Sequence, residues 1–306
     1  MSEPGRTFAD LRTRVLTAIV LLSGFVGLNL WAAYECRSLW FFIPLALLIV
    51  ACCSLEIARA IISPSGTEAL KLSNPRVIVF AVAFFLPAAW TGSQIAPNQI
   101  CFSVTLVGAF LPDLAFAAIL SFIALILFLI IRGRTDLERS RLLAADLFLA
   151  FPLVAIGGAL LIGLLTLPNA SQALLWLVLV TASNDTAAYF AGKRLGGPKL
   201  APAISPNKTI SGSTVGILVA LLVGASAGAL VSTSAWSFSA IILSFIVALV
   251  AQVADLMKSL LKRTHSIKDF SQILPGHGGV LDRVDAILGG GAALYVCLLI
   301  RQYQGW

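Results

Sequence analysis

The chain has 306 residues, of which 59% are hydrophobic and only 11% charged, with a formal net charge of +7 at pH 7. A mean hydropathy of +0.96 excludes a soluble globular domain, because no core of this size could hide so much apolar surface. The positive charge excludes a nucleic-acid binder as well, since the Lys and Arg residues are spread over several short segments instead of forming one groove-shaped patch.

An apolar run of about 20 residues crosses a bilayer as a helix, because the backbone must satisfy its own hydrogen bonds there. In chain order, nine such spans are predicted near residues 15 to 34, 39 to 61, 77 to 95, 113 to 132, 146 to 166, 172 to 192, 212 to 233, 237 to 257 and 284 to 301. The expected fold class is therefore all-α, a polytopic integral membrane helical bundle of about nine transmembrane helices. Pro112 and Asp113 interrupt what could be one long kinked helix around the fourth span. The first span follows a short tail carrying Pro4, Arg6, Arg12 and Arg14, and it is too long for a signal-peptide core, so it reads as an uncleaved helix.

A cytoplasmic N-terminus places every Lys and Arg except Arg37 and Arg301 on the inner side, as the positive-inside rule requires. The same topology puts Trp31, Trp40, Trp90, Trp176, Trp236 and Trp306 at the outer ends of the spans, where an interfacial aromatic belt belongs. Cys36, Cys52, Cys53, Cys101 and Cys297 show no metal spacing and read as small apolar packing residues. Gly224, Gly228 and the run Gly289, Gly290, Gly291 suit close helix contacts.

Polar groups are informative where they are expensive. A carboxylate at the centre of a membrane helix costs at least ~2.5 kcal/mol, so it usually faces a wet cavity with a partner. Asp185 lies in the sixth span beside Thr181, Ser183, Asn184 and Thr186, and Asp255 lies at the inner end of the eighth, with Ser259 and Lys262 on the same helical face. Glu56 and Asp146 stand near span ends and are expected to be solvated there.

Residues 259 to 285, SLLKRTHSIKDFSQILPGHGGVLDRVD, form the most polar and Gly-punctuated run of the chain. Gly278 and Gly279 in GHGG leave the backbone free to adopt positive φ and to approach an anion closely. Asp282 and Asp285 follow at i and i+3, side by side on one helical turn. Such a pair either holds a cation or caps the helix and complements its dipole. Together with Asp255, oxygen ligands of this kind favour Mg²⁺, and Lys262, Arg263, Lys268 and Arg283 supply positive charge for phosphates. A second constellation, GKRLGGPKLAPAISPNKTISGSTVG, offers Ser205, Lys208 and Thr209 in a Pro-stiffened turn. It is not a Walker loop, because Asn207 stands where that pattern requires Gly.

The run from Ser259 to Asp285 resembles, position for position, the signature of the phosphatidate cytidylyltransferases, also called CDP-diacylglycerol synthases. The likeness extends to N-D-T-A-A-Y-F-A-G-K-R from Asn184 and to S-P-N-K-T from Ser205; in the first 140 residues it is confined to hydropathy and the short L-E-I-A-R-A run. The resemblance implies that CTP and phosphatidic acid react to give CDP-diacylglycerol and pyrophosphate, with Mg²⁺. It further implies Asp255, Asp282 and Asp285 as metal ligands, with Lys208, Lys262, Arg263, Lys268 and Arg283 as phosphate contacts. Asp185 belongs to a recurrent polar patch that could hold nucleotide or metal. His277 falls at a fixed signature position and reads as a loop-ordering or phosphate-contacting donor, whereas His265 falls at a variable one. Ser211 departs from the family, which often carries an acidic residue before this Gly.

The resulting expectation is an inner-membrane, multi-pass enzyme with its site facing the cytoplasm. Helices of residues 1 to 140 would precede a catalytic part over 141 to 306, and a homodimer is compatible with the small-residue helix faces. A secondary transporter would also bury carboxylates but tends to show internal repeats, which are absent here. A CDP-alcohol phosphotransferase would carry D-G-x-x-A-R, also absent. A CTP-dependent lipid kinase is the remaining alternative.

Overall fold

The computed structural model describes residues 39–62, 75–93, 118–119, 121–123, 125–126, 137–167, 169–231, 237–271, 273 and 278–304. The predicted first span, most of the fourth, and His277 lie outside the described residues. Eight long helices account for most of what is described: α1 (Leu39–Ile62), α2 (Pro75–Ser93), α3 (Leu137–Ala150), α4 (Gly157–Leu164), α5 (Ala170–Leu195), α6 (Ile210–Ser226), α7 (Phe238–Thr264) and α8 (Leu281–Gln304). Five stretches are long and apolar enough to cross a membrane: Phe42–Ile62, Ser140–Leu164, Ala170–Leu195, Phe238–Thr264 and Leu281–Arg301. The chain is thus a helical membrane protein. Val77–Trp90 and Ile210–Ser226 are shorter apolar helices.

The Ser140–Leu164 span is α3 and α4 joined by a π-helical segment, Phe151–Ile156. Pro152 sits near the start of that segment and lacks the N–H an α-helix needs, so the hydrogen-bond pattern shifts there. Local chemistry sets other boundaries. The Thr209 hydroxyl accepts from the Gly212 N–H at 3.1 Å to cap α6, and the Ser237 hydroxyl accepts from the Ala240 N–H at 3.2 Å to cap α7. Gly196, at φ +62°, ends α5, and Lys193 and Arg194 in the last turn complement the helix dipole.

Glycines let the helices approach closely. A Cβ on Gly290 would lie 3.2 Å from Leu177 of α5, and one on Gly289 would lie 2.6 Å from the Ala254 methyl of α7. The stretch of α6 that carries Gly212 and Gly216 packs likewise on Ala188 and Asn184 of α5. Trp176, expected in an outer aromatic belt, is instead fully buried and donates its indole N–H to the Gly224 carbonyl at 2.9 Å. The missing side chain at Gly224 leaves space that Ser244 and Val180 fill.

One further expectation is corrected and one boundary moves. Ser205–Thr209 is not a turn but strand β2, paired antiparallel with β1 (Lys199–Ala201) so that Lys199 faces Thr209 and Ala201 faces Ser205. Pro206 is tolerated because a two-stranded hairpin consists only of edges. The eighth span, predicted to end near residue 257, runs on as α7 to Thr264, and this extension carries the expected helical face of Asp255 and Lys262 together with Lys258 and Arg263.

Candidate active site at the polar end of the bundle

The C-terminal turns of α5 and α7, the N-terminal turns of α6 and α8, and the β1–β2 hairpin meet at one end of the bundle. Between α5, the hairpin, α6 and α7 lies a cavity of about 480 Å³. Asp185, Lys193, Lys199, Lys208 and Asp255 supply its charge, and Asn184, Gln252 and Tyr189 contribute amide and aromatic surface. The amides are fixed by one another. Gln252 donates to the Asn184 side-chain oxygen at 2.8 Å and to the Ser213 carbonyl at 3.1 Å, while the Ser213 hydroxyl donates to the Gln252 oxygen. Asn184 in turn donates to Asp185 at 3.3 Å. A cavity with fixed amide groups and several ammoniums suits a polar anion.

Asp255 forms the edge of this cavity. One of its oxygens is paired with Lys208 of β2; the other is 2.8 Å from Lys258 Nζ, one turn further along α7. The same ammonium is 2.9 Å from Asp285 Oδ2 on α8 and donates to the Asp282 carbonyl at 3.2 Å. Lys258 and Asp285 are both buried. Burial of such charges is tolerable only when they are paired and hydrogen-bonded.

Asp282 does something different. Its Oδ1 accepts from Lys262 Nζ at 2.8 Å, and its Oδ2 accepts from the backbone N–H groups of Phe270 at 3.1 Å and Gly279 at 3.2 Å. Those backbone donors lie before α8, so Asp282 ties the preceding loop and Lys262 to the start of the helix. The three carboxylates therefore do not close around one point; among the described residues no three metal-ligating side chains form a cluster. Asp255 and Asp285 do converge, on Lys258.

The glycine loop approaches anions closely, as its composition predicts, but the anions are the protein's own. Gly278 adopts φ +81°, and a Cβ there would lie 3.3 Å from Asp269 Oδ1 and 3.4 Å from Asp282 Oδ2. At Gly279 a Cβ would lie 2.9 Å from Glu56 Oε2. Glu56, expected to be solvated, is fully buried. It accepts from the N–H groups of Val280 and Leu281, both at 2.8 Å, and from the Ser271 hydroxyl at 2.5 Å. It thus neutralises the orphan donors at the start of α8. Asp146, also expected to be solvated, is buried against the end of α7, accepting from Thr264 at 3.1 Å and lying 2.9 Å from His265 Nε2.

The remaining predicted residues divide by position. Lys208 and Asp185 line the cavity, and Ser205 stands in β2. Arg263 is exposed and donates to the Ile204 carbonyl at 3.1 Å, tethering the hairpin to α7. Lys268 and Arg283 are exposed. Sequence reasoning missed Lys258, Glu56, Asn184 and Gln252 as site residues, whereas Lys193 and Lys199 belong to the basic Gly-rich loop that it had singled out for phosphate. Lys258 had a usable signal: it stands at i+3 from Asp255 on a helix that also carries Lys262.

Comparison with known proteins now gives the class. The profile described as the Cytidylyltransferase family matches residues 12–300, and the chain belongs to that family. Among individual relatives, a protein named phosphatidate cytidylyltransferase from Helicobacter pylori is 44% identical over 126 residues, covering 41% of this chain and 47% of the relative. The protein of that name from Brucella melitensis is 44% identical over 137 residues, 42% and 47% of the respective chains. The one from Bacillus subtilis is 40% identical over 118 residues, 39% and 44%. The chain spans about half the length of these curated relatives.

Proposed function

We propose that the protein transfers a cytidylyl group from CTP to phosphatidic acid, giving CDP-diacylglycerol and pyrophosphate. The observation that carries this reading is the lysine-rich cavity whose edge is Asp255, placed at the polar end of membrane-length helices. Membership of the cytidylyltransferase family supports it. So do the names of the relatives.

The reaction joins a phosphatidate oxygen to the α-phosphorus of CTP and breaks the bond from that phosphorus to the bridging oxygen, so pyrophosphate leaves with the electron pair. No general base is required, because the second pKa of a phosphate monoester is about 6 and the nucleophile is largely dianionic at neutral pH. The barrier is electrostatic. Lys193, Lys199 and Lys208 face the cavity and would hold the triphosphate, while Lys258 and Lys262 extend positive charge toward the start of α8. Orientation and charge neutralisation then do most of the work.

Asp255 and Asp285 fit a divalent cation, since both already converge on one small positive group from two helices. Mg²⁺ typically takes one or two carboxylates and completes its shell with water and phosphate oxygens. Held there, it would supply charge neutralisation for the phosphates. Asp282 fits a supporting role, because its oxygens are taken by Lys262 and two backbone donors. Gly278 and Gly279 would shape the loop that presents α8, together with His277. Arg263 would hold the hairpin, and Lys268 and Arg283 would offer positive charge at the rim.

The finer topology belongs to the same proposal: nine spans, a cytoplasmic N-terminus and an inner-membrane site open to cytoplasmic CTP, with the chemistry in residues 141 to 306 and homodimerisation through small-residue faces. The positive-inside distribution supports the orientation. The decisive assay incubates the protein with phosphatidic acid and CTP labelled at either the α or the γ phosphate, with Mg²⁺ present or chelated. Label from the α position in the lipid is expected. Lipid labelled only from the γ position would make it a kinase, and binding of CTP with no labelled lipid would point to transport.

A further inference from the structure

We infer that Lys258 is a built-in cation, seated between Asp255 and Asp285, that keeps divalent ions out of this carboxylate pair until an anionic nucleotide draws its ammonium away. The inference rests on the reading of that pair as divalent-ion ligands. Three oxygens from two helices surround the ammonium: Asp255 Oδ1 at 2.8 Å, Asp285 Oδ2 at 2.9 Å and the Asp282 carbonyl at 3.2 Å. Its side chain is only 9% exposed. Oxygen donors converging from different elements on a buried positive charge are what a small bound cation has, and here the chain supplies the charge itself.

Charge counting gives the consequence. Asp255 and Asp285 contribute two negative charges, and Lys258 with Lys208 contributes two positive ones, while Asp185 adds one more carboxylate on the cavity side. A dication entering while Lys258 stays between the two carboxylates would sit against a buried like charge. A triphosphate changes the balance, because it offers both ammoniums new partners on flexible stems. Lys208 already faces the cavity where that anion would lie. Lys258 is one helical turn from Asp255 at the cavity edge. A purely structural ion pair would hold the helices together but set no threshold for metal.

The test is direct binding of Mn²⁺ to the full chain in detergent, followed by electron paramagnetic resonance, for the wild type, Lys258→Met and Lys258→Gln. Without nucleotide, both variants are expected to half-saturate at least about tenfold lower in Mn²⁺ than the wild type, since one adjacent like charge has been removed. The gain should vanish in Lys258→Met/Asp285→Asn. Adding CTP, with Mn²⁺ bound by free CTP subtracted from a protein-free control, should bring the wild type toward the variants. Equal half-saturation of wild type and variants would overturn the role of Lys258 and leave the carboxylate site standing. No bound Mn²⁺ in any of them, with or without CTP, would overturn both. Should neither variant fold, the melting temperature of the wild type decides: Mg²⁺ alone is expected to leave it unchanged, and a rise of several degrees at sub-millimolar Mg²⁺ would sink the idea.

Discussion

Asp282 and Asp285 are three residues apart on one helix, yet their surroundings separate their tasks. Asp285 shares the Lys258 ammonium with Asp255, whereas Asp282 ties the Phe270 and Gly279 N–H groups and Lys262 to the start of α8. Replacing Asp285 by Asn is therefore expected to cut cytidylyl transfer by at least about 100-fold, the scale on which charged groups act in phosphoryl transfer. Melting in detergent should change much less than turnover. Asp282→Asn should lower both, because it loosens the loop; a melting curve unchanged from the wild type would contradict that assignment. Glu56 belongs to the same scale. Glu56→Ala leaves the Val280 and Leu281 N–H groups without their acceptor, at about 1–3 kcal/mol for each buried group. Turnover should fall as α8 shifts, while Glu56→Gln, which keeps the shape and one acceptor, should retain more of both. Equal loss in the two variants would show that shape alone does not matter.

The helices are held by what their small residues omit. Gly289 and Gly290 of α8 admit Ala254 and Leu177, and Gly224 of α6 leaves room for Ser244 and Val180. Overpacking such contacts costs roughly 1–3 kcal/mol or more, so Gly290→Leu should lower the melting temperature in detergent and reduce the folded yield. The loss should exceed that of Leu218→Ala, an exposed position on the outer side of α6. Trp176→Phe removes the indole donor to the Gly224 carbonyl and also leaves a cavity where the larger ring was buried, so it should cost more than the roughly 1 kcal/mol of the hydrogen bond alone. At the hairpin, Thr209→Val removes the cap of α6, again about 1 kcal/mol, and it disturbs the strand that presents Lys208. A rise in the apparent KM for CTP without a matching fall in kcat would place that effect in nucleotide binding.

At the scale of the whole molecule, the polar ends of α1, α3 and α7, strand β2 and the start of α8 are joined by contacts distant in sequence: Glu56 with Val280, Asp146 with Thr264, and Lys208 with Asp255. The residues proposed for catalysis and those that support them thus share one end of the bundle. The topology proposed above puts that end in the cytoplasm. A single cysteine at Ala203, on the exposed hairpin turn of a chain otherwise freed of cysteine, should react with an impermeant maleimide in inside-out vesicles and not in intact cells. The reverse pattern would invert the topology.

Much of this was legible before any coordinates. Hydropathy alone marks the helices from Leu39, Pro75, Ala170, Phe238 and Leu281 as long apolar segments, because a membrane helix must satisfy its backbone internally and so writes its length into composition. The acidic residues of α7 and α8 and the glycine loop also stood out, since charge amid apolar residues is costly and glycine marks unusual backbone. What composition could not say was which charge answers which. Glu56 and Asp146 looked solvated and are buried; Trp176 looked interfacial and is enclosed; the partners of Asp282, which are Lys262 and the Phe270 and Gly279 N–H groups, could not be read from the sequence. Pairing depends on which side chains meet across helices from positions 20 or far more residues apart in the chain, as Lys262 and Asp282 are. One-dimensional periodicity tells which face a residue occupies but not what stands opposite, and only the packed bundle decides that.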